Sequence, residues 1–300
     1  MRIKIHLNQN TASKHASVQG IEVARGAGMN FRMITSTGSS PRPFYGFFSE
    51  AVMTDTELQA DKAYWKFFGQ DEHIQFSGSP WAEKARWLAT GVVSSALIDR
   101  MNLWLPVSRE HPMSYQTEIR REFLDRMGIP DEMIFSPVSF RPSGKITYEG
   151  CIRNQCPDGK VDLCVLGAGE NGHTGFNEPG SRRTDVTRNV RLTRSTIDAN
   201  HRFLHGTGEP FTPFFARTIG PSTTIDLSKE IIVLIFGPKK AAAAKAGLEG
   251  PISPNCPLSF VREHPNVTVY MDIQAAQQLS FYEKAAAKVQ TESDCFSIEL

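Results

Sequence analysis

Three hundred residues with 40% hydrophobic side chains and a mean hydropathy of −0.30 can bury a substantial core. The net charge is +1, with acids and bases well mixed, which argues against a dedicated nucleic-acid surface or an anionic-membrane patch. Apolar runs fall short of a transmembrane helix, the first residues carry no signal-peptide core, and five cysteines without metal-site spacing make a reduced, cytoplasmic protein the expectation.

Residues 1–28 read as a polar lead with a short helix around 12–24. Residues 30–35 read as a strand, followed by Ser36-Thr37-Gly38-Ser39-Ser40-Pro41. A helix over 43–53 then places Phe44, Phe47, Phe48 and Val52 on one face. A strand, a small hydroxylated loop and a helix start make a ready anion site, because free N–H groups and the helix dipole face the loop. The same residues also describe an ordinary N-capped loop.

Residues 63–69 read as the next strand, running into Asp71-Glu72. Neighbouring strand side chains point to opposite faces, so at most one carboxylate faces a site there. Residues 80–101 read as an amphipathic helix, with Trp81, Ala85, Leu88, Val92, Ala96 and Leu97 at helical spacing. Residues 114–127 form a helix closed by Gly128. The segment 136–158, rich in Pro, Gly and Ser, reads as a surface connection around a short helix at 148–153.

The most informative stretch is VDLCVLGAGENGHTGFNEPGS, residues 161–181. An apolar run suited to a buried strand stops at Gly167-Ala168-Gly169. Asn171, His173 and Glu178 follow, interleaved with glycines and Pro179. Titratable groups on a loop leaving a buried strand point to an active site in an open α/β fold. Gly167-x-Gly169-x-x-Gly172 also matches a dinucleotide fingerprint, but Pro179 and the glycines predict that no helix opens there to hold a pyrophosphate.

Residues 182–191 read as basic and irregular. His201 and His205 have metal-ligand spacing, yet Arg202 stands where a zincin helix needs Glu, so no metal site is expected. Residues 230–236 and 267–271 read as buried strands, and Gly237-Pro238-Lys239-Lys240 opens an alanine-rich helix to 247. The tail from 286 reads as weakly ordered. Alternating strands and helices predict an α/β fold: a three-layer, open, mostly parallel sheet of Rossmann-like character, in a single domain over 1–300.

The loop GAGENGHTGFNEPGS resembles the signature of the glucosamine-6-phosphate deaminase/isomerase family. Asn177-Glu178-Pro179 separates it from the related 6-phosphogluconolactonases, which share the fold type and the Gly-x-Gly-x-x-Gly-His core. Asn171 stands where most deaminases carry Asp; with LCVLG before it, the loop is more like the galactosamine-6-phosphate isomerase branch. The resemblance implies a cofactor-free reaction on a 2-amino-2-deoxyhexose 6-phosphate. It assigns Asp71 to proton transfer between C2 and C1, His173 to ring opening, and Glu178 and Asn171 to orienting His173. It assigns Gly38, Ser39, Ser40, Arg202 and Lys240 to the substrate phosphate, with Lys239 a solvated neighbour. Ser181 and Arg188 match an allosteric site, but Val190 stands where the family carries lysine, which argues against control by an acetylated sugar phosphate. His111-Pro112-Met113-Ser114-Tyr115 matches a family segment displaced downstream, so residues 76–105 read as a helical insertion. Homo-oligomers are compatible with this reading. The competing readings are a lactonase-like hydrolase, an NAD-dependent dehydrogenase, a sugar-phosphate-sensing regulator and a non-catalytic phosphosugar-binding protein.

Overall fold

A computed structural model describes residues 1–76, 104–140, 146–201, 204, 206–207 and 213–300. The predicted helix over 80–101 lies outside the described residues. The strands are β1 (Arg2–His6), β2 (Arg32–Thr35), β3 (Lys66–Gly69), β4 (Asp71–Phe76), β5 (Trp104–Pro106), β6 (Ile134–Phe135), β7 (Val161–Gly167), β8 (Arg188–Arg191), β9 (Phe215–Thr218), β10 (Ser228–Ile235), β11 (Val267–Asp272) and β12 (Phe296–Glu299). Eight of them form one sheet in the order β12-β1-β11-β10-β7-β2-β3-β6. Every pairing in it is parallel except β12 against β1.

The sheet is apolar on both faces, and the side-chain alternation shows it. Cys164, Leu166, Ile231, Val233 and Ile235 pack into the core on one face. Leu163, Val165, Ile232 and Leu234 pack into the core on the other, against Ala12 and Ala16 of the helix Gln9–Ala27 and Phe44 and Phe48 of the helix Pro41–Thr54. On the first face lie Tyr148 and Ile152, then Ala244 and Leu248 of the helix Ala241–Leu248. Two-sided burial is what a parallel sheet requires, because its crossover helices cover both faces. The expected three-layer α/β fold is present.

Four expectations need correction. The polar lead contains β1 and a helix of 19 residues. Arg2-Ile3-Lys4-Ile5 offers two apolar residues only, yet Ile3 and Ile5 are fully buried between β11 and β12. The tail is not loose: it forms the helix Tyr282–Lys288 and then β12. Residues 136–158 carry the expected short helix, at Tyr148–Gln155, but Pro137, Val138, Tyr148 and Ile152 are buried rather than at the surface. The basic segment 182–191 ends in β8.

That last strand belongs to a second sheet, order β5-β4-β9-β8 and antiparallel throughout. Its charged positions hid it. Asp71, Glu72, Arg217 and Asn189 are polar or charged, yet all four are buried across neighbouring strands. Between β3 and β4 the chain crosses from the large sheet to the small one at a single residue. Gln70 N–H donates to Thr35 O (2.9 Å) beside β2, and Gln70 O accepts from Ile219 N–H (3.0 Å) beyond β9.

Candidate active site

The loop after β7 builds the centre of the site. Gly169 N–H donates to His173 O (2.9 Å) and Gly172 N–H to Gly169 O (3.1 Å), which closes a tight turn. A Cβ on Gly169 would lie 2.2 Å from the His173 ring, so the imidazole rests on bare backbone. No helix opens after Gly172: residues 173–187 form turns and short bridges. The dinucleotide reading therefore lacks the helix N-terminus it needs.

His173 Nδ1 stands 3.5 Å from Glu178 Oε2. Asn171 Nδ2 donates to that same oxygen (2.8 Å), and Asn171 Oδ1 accepts from His173 N–H (3.1 Å). Asn171 thus orients the imidazole indirectly, through the carboxylate and the main chain. Glu178 Oε1 accepts from the Thr193 hydroxyl (3.2 Å). Burial pushes the Glu178 carboxyl up, but hydrogen bonding and charge from His173, with help from Thr196 and Asn171, bring it down to about 2. It stays ionised beside the imidazole.

Asp71 is the first residue of β4. Its Oδ1 accepts from Phe176 N–H (3.2 Å). Burial pushes its carboxyl up to about 7, against hydrogen bonds from Thr218 and Phe176 and the charges of His173 and Arg188. A base of that strength serves proton transfer near neutral pH. Glu72 faces away, as strand alternation predicts. It caps the helix Tyr115–Ile119 by accepting from Tyr115 N–H (2.9 Å) and Gln116 N–H (2.9 Å).

A cavity of about 330 Å³ joins these groups to the loop after β2. Residues 36–41 line it, with Asp71, Asn171, His173 and Lys240. Gly38 has a φ of +104°, and Ser40 precedes the first turn of the helix Pro41–Thr54. Lys240 Nζ donates to Ser40 Oγ (2.7 Å), while Lys239 is exposed. The structure therefore brings Gly38, Ser39, Ser40, Lys240, Asp71, Asn171 and His173 to one cavity, with Glu178 behind the imidazole. Arg202 lies outside the described residues, as does His205.

Ser181 and Arg188 also meet. Arg188 donates to Ser181 Oγ (2.9 Å) and Asn177 Oδ1 (2.9 Å), and pairs with Asp185 (3.1 Å). Sequence reasoning missed Thr193, Thr196, Phe176 and Thr218, which hold the two carboxylates. Hydroxyls and amides carry no motif, and their partners lie on other elements.

A family model described as glucosamine-6-phosphate isomerases/6-phosphogluconolactonase matches residues 104–270. The chain belongs to this family. Among its relatives is glucosamine-6-phosphate deaminase 2 of Bacillus subtilis (strain 168), 36% identical over 195 residues, covering 63% of this chain and 76% of that protein. Glucosamine-6-phosphate deaminase of Corynebacterium kroppenstedtii is 38% identical over 184 residues, covering 60% and 69%. The solved structure of a monomeric glucosamine-6-phosphate deaminase superposes with a TM-score of 0.71 at 25% identity, covering 93% of this chain and 100% of that one. The 6-phosphogluconolactonase of Trypanosoma brucei shares the fold, with a TM-score of 0.60 at 18% identity over 93% and 98% of the two chains.

Proposed function

We propose that this protein is an amino-sugar 6-phosphate deaminase/isomerase, converting glucosamine 6-phosphate or galactosamine 6-phosphate and water to the ketohexose 6-phosphate and ammonia. One observation carries the reading. Asp71, a carboxyl raised to about 7, lines the same cavity as a carboxylate-backed imidazole and a hydroxyl-rich anion loop. His173 moves a proton between the anomeric hydroxyl and the ring oxygen, which opens the ring. Asp71 removes the C2 proton and returns it to C1, so that the aldose becomes a ketose imine. Water adds at C2 and ammonia leaves. The substrate's carbonyl is the electron sink.

Residues 38–40 and Lys240 support the phosphate, with Arg202 a further candidate. Asn177 and Glu178 favour a deaminase over a lactonase, because both are built into the site. Asn177 Nδ2 ties the loop to Ile219 O (2.8 Å), and Glu178 backs His173. We read the chain as one α/β domain with an insertion between β4 and β5, working in the cytoplasm. Five free cysteines, four of them buried, fit a reducing compartment. The test is ammonia release from both epimers in parallel, with Asp71→Asn as control. Release from one epimer, lost in the control, supports the reading and identifies the branch. Release from neither overturns it.

A further inference from the structure

We infer that Glu118 sets anion affinity at the loop after β2: its carboxylate occupies the donors that the substrate's phosphate takes over. The inference rests on the sugar-phosphate reading above. Glu118 sits on the helix Tyr115–Ile119 with its side chain 16% exposed. Its Oε1 accepts from Gly38 N–H (3.2 Å), Arg42 Nε (3.3 Å) and Arg42 Nη2 (3.0 Å). One carboxylate oxygen thus holds a backbone amide beside a helix N-terminus and two guanidinium donors. Phosphate oxygens seek that same combination.

Gly38 and Glu118 both line the active-site cavity. Arg42 lines an adjoining space of about 280 Å³, and Tyr115 and Glu118 form the wall shared by the two. A phosphate that accepts from Gly38 N–H cannot share that donor with a carboxylate without close like-charge contact. Glu118 must give up the amide when the phosphate arrives. Arg42 then passes from the carboxylate to the phosphate. Each phosphate is bound against an internal competitor, so a weakly charged anion is excluded and a phosphate dianion is favoured.

The test uses the full chain and inorganic phosphate, with binding read by calorimetry and ammonia release read separately. Glu118→Gln keeps an oxygen that can accept from Gly38 N–H but removes the competing charge. Phosphate is expected to bind this variant about tenfold tighter than wild type, with KM for the phosphosugar falling in parallel. Adding Arg42→Met is expected to erase the gain. A Glu118→Gln variant that binds phosphate equally or more weakly would overturn the inference and leave Glu118 as loop support. Absence of phosphate binding by both proteins would do the same. Wild type that binds phosphate but releases no ammonia from either epimer would refute the deaminase reading while leaving the competition testable.

Discussion

Asn171→Asp tests whether the loop is built around an amide. The substitution puts a carboxylate oxygen where Nδ2 now donates to Glu178 Oε2 at 2.8 Å. Two full charges at that distance repel by about 6 kcal/mol at an effective dielectric constant of about 20. Two routes relieve this. Keeping a proton on the pair at a pH of about 7.5 costs about 5 kcal/mol, because that pH lies roughly three and a half pKa units above the ordinary Asp value. Turning the new side chain away leaves Glu178 short of one hydrogen bond, which costs about 2 kcal/mol. The cheaper route wins, so a loss of about 2 kcal/mol is expected at that pH. Near a pH of about 4, the new carboxyl at this position is protonated and can donate to Glu178 as the amide did, and the loss shrinks. The sign follows from a carboxyl whose folded pKa is raised: its penalty grows as pH climbs above the unfolded value. Thermal unfolding at the two pH values reads this directly, with a fall of about 4 °C confined to the higher one. There, kcat/KM falls about tenfold or more, because His173 loses a fixed partner. A variant equally stable at both pH values, and faster, would refute the reasoning; the new carboxylate would then serve the imidazole directly.

Asp71→Asn is expected to lower kcat by about 10³-fold or more. In the wild type, kcat/KM should rise with pH through about 7, since Asp71 must be ionised to act; a limb near the ordinary Asp value of about 4 would show that another group is the base. Because burial raises Asp71 in the folded state, its cost to stability grows from about pH 4 to about pH 7. Asp71→Asn should therefore raise Tm at about pH 8 and not at about pH 4, as paired melts would show. Gly175→Ala should lose activity and stability together. Gly175 has a φ of +57°, and a Cβ would meet Gln70 Nε2 at 2.7 Å and Asp71 Oδ2 at 2.8 Å; a variant with normal kcat would show that the strand can yield. Joining Phe76 to Trp104 by a two-residue turn should preserve the small sheet, because those residues are direct antiparallel partners. Ammonia release by that shortened chain should persist, and its loss would mean that the removed segment supplies a group to the site.

What the sequence made legible follows from the range of the interactions. β7 and β10 announce themselves as apolar runs because both faces are buried, and the glycines after β7 mark where the strand must end. Pro41 and the aromatic stripe mark the helix after the anion loop. Asp71 and Glu72 separate by alternation alone. The second sheet was invisible because its strands bury charged and polar side chains against partners that no local pattern connects. Arg217 Nε donates to Asn189 Oδ1 (2.7 Å), and its guanidinium lies 3.8 Å from the centre of the Trp104 ring. Glu118 escaped for the same reason. Its amide partner lies 80 residues earlier, and a glutamate in the first turn of a helix reads as an ordinary favourable charge.

The small sheet explains how a buried, unfavourable carboxyl keeps its place. Asp71 lies one residue beyond the crossing between the sheets, opposite Thr218 of β9. The His173 loop is braced at the same point: Phe176 N–H donates to Asp71 Oδ1, and Asn177 Nδ2 to Ile219 O. The Asp71 carboxylate and the loop that carries the imidazole are thus tied to each other through Phe176 N–H, and both are braced on residues 218–219. A one-residue slip of β4 against β9 would exchange the faces of Asp71 and Glu72. It would also strip the helix Tyr115–Ile119 of its cap. Holding the register of four short strands therefore fixes which carboxylate enters the cavity.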